Sequence, residues 1–139
     1  MVGSVFAAMY VGHMVGDHWA QTNRQALRKI LPGWPGWRAC NAHVTVLTII
    51  QGLTLASLMI STGWEPDYLH LWVGLSVNYL SHYVADRRWP LHAIARVLGK
   101  GEFYALGDPV EAPCGTGAYA MDQSWHIAWL WITTLIICA

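Results

Sequence analysis

Charge is scarce in this sequence. Only 12% of its 139 residues are Asp, Glu, Lys or Arg, about half the share of an ordinary soluble domain. The acidic and basic residues balance to a formal net charge of zero. A nucleic-acid partner is therefore not expected, since phosphate binding needs a basic excess. Cysteine is equally uninformative. Cys40, Cys114 and Cys138 form no C-x-x-C pair, and three thiols scattered in this way are not a disulfide framework. No basic run precedes the first apolar stretch and no small-residue cleavage pattern follows it. The N-terminus therefore reads as a retained helix rather than a secretory leader.

Apolar residues, in contrast, make up 55% of the chain, with nine Trp among them. They fall into four runs of spanning length, at about 3–22, 39–62, 68–86 and 117–139, each close to the 20 or so residues that cross a bilayer. The expected fold is all-α, one domain of four transmembrane helices. A short interfacial helix is expected near 91–98, between the third and fourth. A soluble helical bundle is the competing reading. Runs so long and so uncharged are hard to explain in water.

All eight basic residues lie between the first and second runs (Arg24, Arg28, Lys29, Arg38) or between the third and fourth (Arg87, Arg88, Arg96, Lys100). The positive-inside rule puts those connections in the cytoplasm and both termini on the outer side. Trp34, Trp37 and Trp89 then mark the inner interface, and Trp64 and Trp72 the outer one.

Ionisable residues inside membrane helices are costly and signal function. Here they are patterned. His13 and Asp17 form H-x-x-x-D, His82 and Asp86 repeat it, and Asp122 and His126 reverse it. Residues four apart share a helical face. With His43 at the start of the second run, all seven groups fall in the cytoplasmic half of the expected topology. Four imidazoles and three carboxylates exceed what salt bridging needs, and no Lys or Arg lies well inside a run. Unpaired buried charges coordinate metals, and mixed N/O donors suit zinc, with manganese or iron as alternatives. Seven donors fit one ion with supporting hydrogen bonds, or two ions sharing a bridging group. Taken singly, each pair is equally a His–Asp hydrogen bond packing two helices, and the set could serve as a proton relay. His18 reads as an interface residue, His70 as solvated and His92 as a loop or interface residue. Cys40, one turn before His43, reads as packing before ligation. Arg87 and Arg88 could hold an anionic substrate or simply contact anionic lipid. The glycines Gly3, Gly12 and Gly16 permit close helix contact, including contact between copies in a homo-oligomer.

The segment G-H-M-V-G-D-H-W-A-Q-T resembles the opening motif of an uncharacterised family of small bacterial and phage multi-pass membrane proteins. In that family H-x-x-x-D is followed four residues later by Gln, here Gln21. A lone His opens the second helix, here His43. An H-x-x-x-D lies in the third, here His82 and Asp86, and D-Q-x-x-H in the last, here Asp122, Gln123 and His126. More distantly the pattern is similar to YdjM-type predicted membrane-bound metal-dependent hydrolases. The resemblance implies a bacterial or phage-infected inner-membrane location, with Gln21 and Gln123 supporting the site. It also implies a hydrolase acting on a phosphoester or lipid-like substrate at the cytoplasmic face. A structural metal site in a membrane accessory protein, or ion transport, is the alternative. E-A-P-C-G-T-G, before the fourth run, departs from the family pattern and reads as a lid or a linker.

Overall fold

A computed structural model describes all residues, 1–139. The chain is all-helical. Helix α1 (Val2–Val15) runs directly into a π-helical turn, Gly16–Ala20. Then come α2 (Asn23–Arg28), α3 (Gly33–Thr62), α4 (Tyr68–Asp86), α5 (Trp89–Val97), α6 (Gly101–Tyr104) and α7 (Gly117–Ile137), the last preceded by a 3-10 turn at Pro113–Gly115.

The long helices α1, α3, α4 and α7 pack as a ring, each against its two neighbours. The direction of every contact is antiparallel. Gly12 meets Gln51 while Gly16 meets Leu47. Gln51 meets Asn78 while His43 meets His82. Gly74 meets Ile137 while Ser81 meets Trp125. The result is an up-down-up-down four-helix arrangement. Its tight α1–α3 seam depends on glycine, since a Cβ at Gly12 would stand 2.8 Å from the Gln51 Cα and one at Gly16 3.0 Å from the Leu47 Cα. Both glycines are consumed inside the chain and are not free for contact between copies. Gly3 has open space around it.

The bundle is polarised end to end. Val5, Met9, Leu55, Leu130 and Ile137 form an apolar core at one end. Mid-bundle, the Asn78 amide donates to Gln51 Oε1 at 2.7 Å, and both residues are buried. Beyond them lie the histidines and aspartates. The α3–α4 link sits at the apolar end, where Gly63 (φ +69°) terminates α3 and Asp67 accepts from the Leu69 and His70 amides to cap α4. Those amide bonds hold the Asp67 carboxyl below its usual pKa. The other connections, with α2, α5, α6 and all eight basic residues, are gathered at the polar end.

Boundaries follow local chemistry. α4 runs over 68–86 as the apolar run indicates. α3 begins six residues earlier than the expected 39, because Pro35 falls in its first turn, where the missing N–H is no loss. The stretch after residue 22 is not a plain loop. Thr22 and Gln25 form a capping box that starts α2. The short helix expected at 91–98 is present as Trp89–Val97.

By length and hydropathy α3 alone qualifies to cross a membrane, with a mean hydropathy of 1.8 over its most apolar stretch. A four-span bundle is thus not established by this measure. The α-helical turns of α1 end after 14 residues. In α4 His70, Asn78, His82 and Asp86 all lower the hydropathy, and in α7 Asp122, Gln123 and His126 do.

Candidate metal centre

The polar end is built from four helices. The π-helical turn after α1 carries Asp17; such turns recur at functional sites. The first turns of α3 supply His43, the last turns of α4 supply His82 and Asp86, and the first turns of α7 supply Asp122 and His126.

Asp17, His43, His82 and Asp86 converge. His43 Nε2 lies 3.2 Å from Asp17 Oδ1 and 3.2 Å from Asp86 Oδ2. His82 Nε2 lies 3.3 Å from His43 Nε2, 3.4 Å from Asp86 Oδ2 and 4.0 Å from Asp17 Oδ1. All four side chains are nearly or fully buried. Despite these distances, Asp17 Oδ1 and Asp86 Oδ2 have no hydrogen-bond partner of acceptable geometry. The two ring nitrogens pair with each other, and the two carboxylate oxygens beside them are left over. Buried polar atoms left in this way are costly unless something else satisfies them. A tetrahedral ion with bonds of 2.0–2.1 Å holds its ligand atoms about 3.3–3.4 Å apart, and the observed separations bracket that value. These four residues could hold a metal ion.

Asp86 also belongs to a second group, with Asp122 and His126, whose donor atoms lie within 4.8 Å of one another. His126 Nε2 is 3.5 Å from Asp122 Oδ2 and also lacks a hydrogen-bond partner. The two groups share one carboxylate.

His13 is placed differently. It is completely buried, with its ring centroid 5.4 Å from that of His82 and 5.0 Å from that of His126. Both its ring nitrogens are unpartnered, yet it belongs to neither donor group. Gln123 donates to Asp17 Oδ2 at 3.2 Å and reaches Asp122 Oδ2 at 3.4 Å, so it ties the two groups together. Gln21 is half-buried, and its amide nitrogen has no partner. Cys40 is buried outside both groups, its thiol 3.8 Å from the Tyr83 carbonyl. His18 contacts the Tyr119 hydroxyl at 3.1 Å, His70 sits in the first turn of α4, and His92 lies tilted against Tyr104 with ring centroids 4.9 Å apart.

The premise that no buried cation reaches the carboxylates is overturned by Lys29. From the segment after α2, its Nζ sits 2.6 Å from Asp86 Oδ1 and 3.9 Å from Asp17 Oδ1. Burial opposes its charged form, but the two carboxylates more than offset that and raise its pKa above the ordinary lysine value. Arg87 makes this possible. Its guanidinium is buried and donates to the Lys29 and Leu31 carbonyls, which folds the 29–31 segment over the site. Gly36 leaves the room, since a Cβ there would collide with the Leu31 carbonyl and with Arg87. Arg87 is therefore a positioning residue for Lys29. Arg88, with Tyr104, Tyr119 and Asp122, lines a cavity of about 360 Å³ beneath the Gly/Pro-rich segment. Its φ of +57° is the single left-handed backbone among the non-glycine residues.

Compared with known proteins, the chain matches no family model, no curated protein and no solved structure.

Proposed function

We propose that this chain is a membrane-embedded protein that binds divalent metal, zinc in the first place, and acts as a metal-dependent hydrolase on a phosphoester or lipid-like substrate at the cytoplasmic interface. One observation carries the reading. Four buried donor atoms from three separate helical elements lie within 4.8 Å of one another, the His–His and His–Asp separations being 3.2–4.0 Å, with two carboxylate oxygens unsatisfied. That donor set and spacing suit zinc better than magnesium or calcium, which favour six or more oxygens.

The two groups divide the work. Asp17, His43, His82 and Asp86 complete a four-coordinate shell, the pattern of a structural ion. Asp86, Asp122 and His126 provide three ligands and leave a position open, the pattern of a catalytic one. A divalent ion held there would supply an acidified water and polarise a phosphoryl or acyl oxygen. Asp122 also lines the cavity, so as a ligand it would hold the ion and its water at the edge of that space. Arg88, across the same cavity, is suited to an anionic oxygen of the substrate. Gln123 orients Asp17 and Asp122. The resemblance to membrane-bound metal-dependent hydrolases points the same way.

The membrane setting is supported by where the apolar surface lies. Only 22% of the most apolar stretch of α3 is buried, and Ile49, Leu53 and Ile60 on that helix are exposed. A soluble core helix would hide them. The basic segments at the site end favour a cytoplasmic location for it, with α5 lying at the interface.

The Lys29 pair supports a second reading, in which the metal only staples the helices of an accessory protein. The two readings separate in one assay. Zinc- or manganese-loaded protein in detergent is offered an activated phosphodiester and an activated carboxylic ester, beside Asp122→Asn. The hydrolase reading expects turnover that falls by at least about a hundredfold in the variant, with the fold intact. No turnover of either ester by loaded protein would leave the structural-metal reading.

A further inference from the structure

A second cavity, of about 590 Å³, lies on the α2–α3 side and shares no lining residue with the one beside Asp122. Its wall contains Arg24 and Arg28, one turn apart on α2, and Arg38 near the start of α3. It contains no acidic residue. None of the three guanidiniums takes part in an ion pair, whereas Lys29, next in the chain, is committed to Asp86. Three unneutralised arginines around one concavity repel each other unless an anion is shared between them. The remaining lining is suited to such an anion. The Gln25 side-chain nitrogen is not used in the capping box with Thr22, and Trp34 and Pro35 form a flat apolar side. Trp34 and Pro35 also belong to the first turn of α3, the positive end of that helix dipole. The scaffold is fixed, because the Thr22–Gln25 capping box sets the start of α2 and Arg87 pins the segment that follows it.

We infer that this cavity is a binding site for a phosphate group, either the head-group phosphate of an anionic lipid or free inorganic phosphate. Its arginines match the charge and the planar, forked hydrogen bonding that phosphate oxygens accept. Trp34, two-thirds exposed at the cavity edge, would lie beside the glycerol and upper acyl region of a lipid. The site does not depend on the metal reading, since none of its residues belongs to either donor group.

Detergent-purified protein is titrated with phosphatidylglycerol, with inorganic phosphate and with uncharged diacylglycerol, binding being followed by native mass spectrometry and Trp fluorescence. The comparison variant is Arg24→Gln/Arg28→Gln/Arg38→Gln, with its fold checked by circular dichroism. If the triple variant does not fold, Arg28→Gln and Arg38→Gln are tested singly. Saturable phosphatidylglycerol binding, weakened at least tenfold in the triple variant and not shared by diacylglycerol, identifies a lipid phosphate site. Binding of inorganic phosphate without the lipid, with the same loss in the variant, identifies a free-phosphate site. Absence of both, or equal binding by wild type and the variants, overturns the inference.

Discussion

Lys29→Met separates a metal centre from a plain salt-bridge network. Lys29 Nζ holds Asp86 Oδ1 at 2.6 Å, while Oδ2 of the same carboxylate faces His43 and His82. Removing one partner of a buried pair while the other stays charged costs about 3–5 kcal/mol. For a domain of this size that corresponds to roughly 10–20 °C in thermal midpoint. The metal-free variant should show this loss. A bound divalent ion compensates the same two carboxylates, so most of the loss should be recovered when zinc is added. Without a competing ammonium on Asp86, zinc affinity should also rise, by about tenfold or more, a modest share of the Coulomb term between neighbouring cations. The assay is thermal unfolding in detergent, by circular dichroism, of wild type and variant with chelator and across a zinc titration. If the variant is equally destabilised with and without zinc, the carboxylates serve Lys29 alone and the argument from orphaned donor atoms fails.

Three further outcomes test other parts of the account. His13→Leu should retain bound metal and lose little stability, since both ring nitrogens lack partners and replacing an unsatisfied polar group with an apolar one is close to neutral; loss of metal, measured by mass spectrometry, would make His13 a ligand. Asn78→Leu should cost about 1–3 kcal/mol by stranding Gln51 Oε1, and Gln51→Leu/Asn78→Leu should recover most of it; additive losses in that cycle would refute the pairing. Gly12→Ala should lower the thermal midpoint through overpacking worth about 1–3 kcal/mol, because the new methyl meets the Gln51 backbone; an unchanged midpoint would contradict the tight α1–α3 seam.

The helices and the donors were legible in the sequence because both depend on short-range patterns. A four-residue spacing sets His82 above Asp86 on one face of α4 whatever else the chain does. Alternating chain direction then brings helix ends together, so His43 and His126 could be assigned to one region without a structure. What escaped depends on how separate segments lean on one another. Lys29 is one of four basic residues between the first two apolar runs, and nothing local marks it. Its burial follows from Arg87, more than fifty residues later, hooking the carbonyls of 29 and 31 over Gly36. Arg87 and Arg88 are neighbours and look equivalent, yet one is buried under α2 and the other opens onto the cavity by Asp122. His13 shows the opposite limit. Its spacing to Asp17 implies a shared target, but the π-helical turn beginning at Gly16 carries Asp17 to His43 and leaves His13 among the other imidazole rings.

The most direct measurement of the central claim is the metal content of the purified protein by mass spectrometry, beside His43→Ala. About one to two equivalents of zinc, manganese or iron, with the four-donor ion lost in the variant, is the expected result. Folded protein that carries no such metal and takes up neither zinc nor manganese when they are added would contradict it.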